Sequence, residues 1–216
     1  MTLAELRARF RSEEHDAVAP YLWADSDLNA WLNEAENEAC RRALLLVDST
    51  TAASSVTFLA GAVGIALPAS VIYVRRAKLA SSGIPLAFRV ARTMDEEVPG
   101  WEGATASIPR VAVPDWQTGY LRFYPPALAA GTVNMTVVRT PATPMSSDSH
   151  TPEIRAQYHS YLLDWVKFRA YSVQDIEVYD PKKAATFEAA FIHRFGDTSA
   201  VNEHWALEQY YDIGHN

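Results

Sequence analysis

The chain has 216 residues, 49% of them hydrophobic, and a formal net charge of −7. This composition fits one large domain or two small ones with real hydrophobic cores, and it excludes an intrinsically disordered chain. The negative charge argues against a broad basic surface for nucleic acid. Cys40 is the single cysteine, which excludes an internal disulfide, and its helical position predicts a buried apolar role.

The N-terminal residues carry charges and lack the apolar stretch of a signal peptide. No run approaches the roughly 18 apolar residues of a membrane span. The sequence therefore predicts a soluble protein that is made in the cytoplasm.

Two helices are predicted at the N-terminus. The first covers residues 2–10, where Thr2 and Glu5 have the spacing of a capping box. The second covers residues 23–46 and is amphipathic, with Asp25 and Ser26 as its expected caps. This long helix has no pattern of catalytic residues and is predicted to dock on other helices.

The middle of the chain predicts β-strands, because short apolar runs alternate with Gly and Pro. The predicted strands are residues 55–59, 71–79, 85–91, 110–113, 119–124 and 132–139. The last two alternate apolar and polar residues, and the short loop between them predicts a hairpin. A single helical turn is predicted at residues 94–101.

Helices return after a polar linker at residues 141–150. Thr151 and Pro152 are typical of a helix start, and the helical spacing continues to about residue 172. Asp180 and Pro181 open another helix in the same way, and Gly196 is its expected C-terminal cap. The pattern predicts an α+β protein. Residues 1–52 and 148–196 are predicted to form a helical bundle from both chain ends, residues 53–147 a β-rich insertion, and residues 197–216 an extended C-terminal tail.

The chain has no nucleotide-binding or hydrolase motif. The six histidines are not spaced as helical metal ligands, and Asp95, Glu96 and Glu97 are adjacent acids that point in different directions. No catalytic, cofactor-binding or metal-binding residue is predicted, and the protein is expected not to be an enzyme.

Basic residues cluster around one predicted strand, where alternation places Arg76 and Lys78 on one face and Arg75 on the other. Together with Arg89 and Arg92 they suggest either contact with phosphate or a solvated or subunit-facing β surface. The alternation makes the basic patch small, which favours the solvated or subunit-facing surface over contact with phosphate.

Aromatic residues are abundant, with six Trp and ten Tyr. Trp205, Tyr210 and Tyr211 lie beyond the last predicted helix, and such side chains are enriched at protein interfaces. These three residues are candidates for binding a partner subunit, with packing on their own domain as the alternative.

Three stretches, in this order, give the chain a family resemblance. They are LWADSDLNAWLNEAENEACRRA (residues 22–43), GYLRFYPPALAAGTVNMTVVRTP (residues 119–141) and TPEIRAQYHSYLLDWVKFRAYSVQDIEVYDPKKAATFEAAFIHRFG (residues 151–196). The chain resembles the head–tail adaptor (connector) proteins of tailed bacteriophages, chiefly the short-tailed type.

This resemblance implies a structural virion protein at the head–tail interface. It implies a homo-oligomeric ring, commonly of twelve copies, that binds the portal protein and a tail or nozzle protein. Double-stranded DNA passes through the lumen of such a ring without specific binding, and no membrane is involved. The alternatives are another phage tail or baseplate component and a wall-degrading hydrolase, which needs two carboxylates across a cleft.

Overall fold

A computed structural model of the chain describes residues 1–174 and 178–197. It divides into two compact units. The helical unit contains Met1–Leu46 and the described residues from Thr140 onward, and the β unit contains Val47–Arg139. The predicted α+β class is confirmed.

Helices and strands are numbered in chain order. The α-helices of the described residues are α1 (Leu3–Glu13), α2 (Asp25–Ala43), α3 (Ala91–Glu97), α4 (Leu162–Ser172) and α5 (Pro181–Phe195). The strands are β1 (Leu46–Asp48), β2 (Ser55–Phe58), β3 (Gly64–Ala66), β4 (Val71–Leu79), β5 (Ala87–Phe88), β6 (Val111–Val113), β7 (Tyr120–Tyr124) and β8 (Gly131–Arg139). Short 3-10 turns lie at Ala52–Ser54, Trp101–Gly103 and Ala156–Tyr161.

Helix α1 begins as the sequence predicts. Thr2 Oγ1 accepts a hydrogen bond from the backbone N–H of Glu5, and the Glu5 carboxylate accepts one from the Thr2 N–H. The predicted caps of α2 are wrong: the cap residue is Ala24, which has no side-chain hydrogen bond. Asp25 lies inside the first turn, where its carboxylate accepts a hydrogen bond from Arg11 Nη2 at 2.7 Å. Asp25 therefore forms an ion pair with Arg11 instead of capping the N-terminus of α2.

One hydrophobic core joins α1, α2, α4 and α5. Its fully buried members on α2 include Leu28, Leu32, Ala35, Ala39 and Cys40, which follow helical spacing. The predicted apolar face of α2 and the buried position of Cys40 are thus confirmed. Helix α2 ends three residues earlier than predicted, where Leu44 adopts a left-handed conformation with φ of 52°.

The predicted helix start at Thr151 and Pro152 is wrong. Residues 151–155 have no helix, a 3-10 turn follows, and α4 begins only at Leu162. The buried Glu36 carboxylate of α2 accepts hydrogen bonds from the backbone N–H groups of Glu153 and Ile154, which fixes this segment against α2. The start of α5 is confirmed, because Asp180 accepts from two backbone N–H groups of the first turn. Gly196 caps its end, with φ of 87°.

The β unit contains two four-stranded sheets. In the first, β8 is the centre, with β4 antiparallel on one edge and β1 and β2 on the other. In the second, the order is β3-β7-β6-β5. Their buried faces share one core, which contains Ile65, Ala77, Leu79, Leu86, Ala112, Leu121, Phe123, Val133, Met135 and Val137.

The predicted hairpin is wrong, since β7 and β8 belong to different sheets. The alternation in both strands is real, because Leu121 and Phe123 are buried, as are Val133 and Met135. Alternation, however, does not choose the partner strand. The loop between β7 and β8 instead forms backbone hydrogen bonds with the loop between β2 and β3. Ala127 donates its N–H to the Ala62 carbonyl, and the Ala127 carbonyl accepts the Gly61 N–H. These bonds direct the chain away from a tight turn.

Smaller differences concern short elements. Strands β1 and β3 have three residues each and were not predicted, while the predicted strand at residues 85–91 shortens to β5. The helical turn expected at residues 94–101 becomes α3 followed by a 3-10 turn. Within the described part of the chain, no helix combines the length and apolar character needed to cross a bilayer.

Candidate interaction surfaces

The residues predicted to bind a partner, Trp205, Tyr210 and Tyr211, lie outside the described residues. Their role stays a prediction. The described residues offer three other surfaces with unusual properties: an apolar loop on the helical unit, an apolar tip on the β unit, and a polar cavity on the first sheet.

The apolar loop covers residues 17–22, between α1 and α2. Val18 is 81% exposed and Leu22 is 53% exposed, and Tyr21 is also exposed. Neighbouring exposed apolar residues are typical of contact surfaces.

A buried ion pair holds this loop in place. Arg11 and Asp16 form the pair, and both side chains are almost fully buried. Asp16 also accepts the backbone N–H of Leu22 at 2.8 Å, while Arg11 donates to the Trp23 carbonyl at 2.9 Å. The Arg11 guanidinium lies 3.7 Å from the centre of the Tyr21 ring. These contacts tie the loop to α1 and to the start of α2.

The apolar tip of the β unit consists of Leu59, Val63, Ile108 and Leu128. These side chains are 78%, 43%, 50% and 65% exposed. Backbone hydrogen bonds join their loops, since Gly61 donates to the Ala127 carbonyl and Leu128 donates to the Ser107 carbonyl. Three separate chain segments thus place large apolar side chains at one end of the unit.

The polar cavity lies on the open face of the first sheet and has a volume of about 430 Å³. Arg76 and Lys78 of β4 line it, as the alternation predicted, and their register partners on β8 are Thr136 and Asn134. The other lining residues are Ser49, Thr50, Thr51, Ser54, Ser55 and Met135. Arg75 does not line it, and its Nε donates to the Tyr73 hydroxyl at 3.1 Å. Arg89 and Arg92 do not line it either.

Asp48 organises one wall of the polar cavity. Its carboxylate accepts the backbone N–H groups of Thr50 and Thr51, both their hydroxyl groups, and the Arg139 Nε at 2.6 Å. Burial alone would raise the pKa of the Asp48 carboxyl, but the hydrogen bonds from Thr51, Thr50 and Arg139 outweigh burial and lower it well below its usual value. Asp48 therefore stays ionised and paired, and the loop that follows it is held fixed.

Two of the three adjacent acids at residues 95–97 have structural partners. Asp95 accepts the indole N–H of Trp101 at 2.9 Å, and Glu96 forms an exposed ion pair with Arg92 at 3.0 Å. In the ranges 1–174 and 178–197, no three His, Cys, Asp or Glu side chains group closely enough to hold a metal ion.

Sequence reasoning missed the two apolar surfaces. Exposed Val and Leu residues in loops give no periodic signal, because loops have no repeating face. Pro20 favours a loop between the two helices, but it does not indicate which side chains that loop exposes.

Exposed apolar surfaces of this kind are typical of a protein that binds other macromolecules. Comparison with protein families makes the assignment specific. Residues 1–209 match the family described as SU10 adaptor protein. The chain belongs to this family of phage head–tail adaptors of the short-tailed type, and the resemblance found in the sequence is confirmed. A search of curated proteins found no match.

The family membership supports a structural role at the junction of head and tail, as a component of the virion. Adaptors of this family associate with portal and tail proteins. The family is structural and generally non-enzymatic.

Proposed function

We propose that this chain forms a closed ring, of twelve copies, between the portal and the tail, and that the ring extends the channel for double-stranded DNA. The observation that carries the proposal is the family match over residues 1–209. A closed ring repeats one interface between two different patches of the same chain. The chain offers separate apolar patches that suit such use, on the helical unit and on the β unit.

Each part of the chain has a proposed place in this assembly. The helical bundle forms the ring, and the loop at residues 17–22 contacts the next copy. The tail at residues 197–216, with Trp205, Tyr210 and Tyr211, binds the portal. The β-rich insertion, with its apolar tip, faces the tail protein or the neighbouring copy.

Light scattering tests the proposal by measuring the mass of the protein alone and with the portal protein of its own phage. Twelve copies of 24.0 kDa give a species of about 290 kDa. A ring-sized mass, alone or added to the portal, supports the proposal. A 24.0 kDa monomer that ignores the portal contradicts it and favours a tail or baseplate component.

Variants in the apolar patches show which surfaces the assembly uses. Val18→Asp and Leu128→Asp each place a charge on an exposed apolar side chain, so the fold is retained and assembly is lost if the patch is buried in the ring. Ser81→Asp is the matched control, because it adds the same charge to an exposed turn of the β unit. Deleting residues 200–216 tests the tail: unchanged portal binding would rule out its proposed role.

A further inference from the structure

We propose that the polar cavity on the first sheet binds phosphate groups of a nucleic-acid backbone, through Arg76 and Lys78. The inference relies on the proposed function only for the source of the phosphate, which is the DNA in the channel. The charge and geometry of the cavity define the site itself.

The β unit differs in charge from the rest of the chain. Val47–Arg139 holds eight Arg and Lys against six Asp and Glu, which gives +2, whereas the whole chain carries −7. The remaining residues therefore carry −9. Residues 47–139 therefore carry a small positive charge within an acidic chain, and they repel a polyanion less than the remaining residues do.

The two cations of the polar cavity have no competing partner. Arg76 is exposed and Lys78 is half-buried, and neither forms an ion pair or a side-chain hydrogen bond with another described residue. The ten described residues that line the cavity include no acid. Asp48 holds the cavity wall that contains Thr50 and Thr51, but the negative charge of Asp48 is neutralised by Arg139, whose Nε lies 2.6 Å from the carboxylate. The cavity thus keeps the charge of both cations.

The remaining lining residues supply neutral hydrogen-bond donors. Ser49 and Thr136 present hydroxyl groups and Asn134 an amide, beside the two cations. The Asn134 Oδ1 accepts a hydrogen bond from the Ser55 hydroxyl at 3.1 Å, so the amide NH₂ group of Asn134 is left to donate hydrogen bonds. Arg, Lys, Ser, Thr and Asn are the side chains that proteins use to contact phosphate oxygens.

The spacing also suits a repeating anion. Arg76 and Lys78 are two positions apart on one strand and share a face, which places their backbones about 7 Å apart. A chain of phosphodiesters presents successive charges to such a pair, whereas a single carboxylate from a neighbouring protein occupies only one of them. Contacts to the backbone position DNA without reading its sequence.

Fluorescence anisotropy with a labelled mixed-sequence duplex of about 20 base pairs, in low salt, tests this inference, since backbone binding weakens steeply with salt. The proteins are the wild type, Arg76→Ala, Lys78→Ala and the double variant. We expect about a tenfold loss of affinity for each cation removed, because the loss of one hydrogen bond to a charged group weakens binding by about this factor. The slope of log affinity against log salt concentration is negative, and it should become less negative by about two units for the double variant.

Arg75→Ala is the matched control, because it removes the same charge one position away on a side chain that does not line the cavity. It should change the affinity little. Arg76→Lys with Lys78→Arg should restore binding, and circular dichroism shows that each variant is folded. Equal losses for Arg75→Ala and the cavity variants, or no binding of DNA by the wild type, would overturn the inference.

Two further measurements distinguish a nucleic-acid site from a site for free phosphate and from a protein–protein contact. Inorganic phosphate is added as a competitor at constant ionic strength, because added salt alone weakens backbone binding. Displacement of bound DNA beyond that caused by chloride supports a phosphate site, while phosphate binding without any DNA binding overturns the assignment to a nucleic acid. The double variant is also mixed with the portal protein. Retained assembly with lost DNA binding supports the inference. Lost assembly overturns the inference, because the cavity face is then a contact between proteins. Assembly of the wild type would in that case still support the proposed ring.

Discussion

Two arginines of α1 carry the same charge two positions apart and lie in opposite environments. Arg11 is buried and pairs with the buried Asp16, and it also binds the Trp23 carbonyl and the exposed carboxylate of Asp25. Arg9 is 47% exposed in its side chain and pairs with Glu13 one turn along the helix. Replacing each with Ala removes the same charge from the same helix.

The two substitutions should differ about tenfold in cost. In Arg11→Ala, Asp25 can be hydrated, but Asp16 stays buried without its cation, which costs about 3–5 kcal/mol. In Arg9→Ala, an exposed pair of this spacing contributes about 0.3–0.5 kcal/mol. Since domains are stable by about 5–15 kcal/mol, the first change removes a large part of the total and the second does not.

Urea unfolding followed by far-ultraviolet circular dichroism measures the difference, because the longest helices belong to the unit that contains the pair. With a slope of about 2 kcal/mol per molar urea, we expect the midpoint to fall by about 1.5–2.5 M for Arg11→Ala and to change little for Arg9→Ala. Similar midpoints for the two variants would refute the reasoning, because they would mean that Asp16 does not need a partner.

Three further predictions follow from burial, charge and close contact. Asp48→Asn should lower the free energy of unfolding at pH 7, and the gap from the wild type should narrow as the pH falls below about 4, because the low pKa of Asp48 contributes stability that acid removes. Urea titrations at several pH values measure this gap, and a constant gap would contradict the account. Gly64→Ala should cost about 1–3 kcal/mol, because a Cβ there overlaps a backbone carbonyl of β7, whereas Gly103→Ala meets nothing within 4 Å. Calorimetry compares the two, and equal melting temperatures would exclude the overlap. Leu32→Ala should cost about 2–5 kcal/mol because Leu32 is fully buried, while Leu22→Ala, at a site 53% exposed, should stay within about 0.5 kcal/mol; equal urea midpoints would show that burial is misassigned.

Local signals in the sequence predicted the elements that depend on neighbouring residues. The capping box at Thr2, the bounds of β4 and the start of α5 at Asp180 are set by residues within a few positions. The failed start at Thr151 depends on Glu36, which lies more than a hundred positions away in the chain. No local pattern encodes such a contact.

The same distinction applies to the polar cavity. The shared face of Arg76 and Lys78 follows from alternation in one strand. The wall opposite them does not, because it requires Asp48 to meet Arg139, 91 positions further along the chain. The apolar patches were missed for a related reason: Val18 and Leu128 stand in loops, where hydrophobicity has no periodic expression.

Electron microscopy of the protein bound to the portal of its own phage tests the ring most directly, because it shows the copies and the channel together. The proposed function predicts a closed ring of twelve copies beneath the portal, with the channel continuing through its centre. Isolated copies on the portal, an open chain of copies, or a ring with a blocked centre would contradict it.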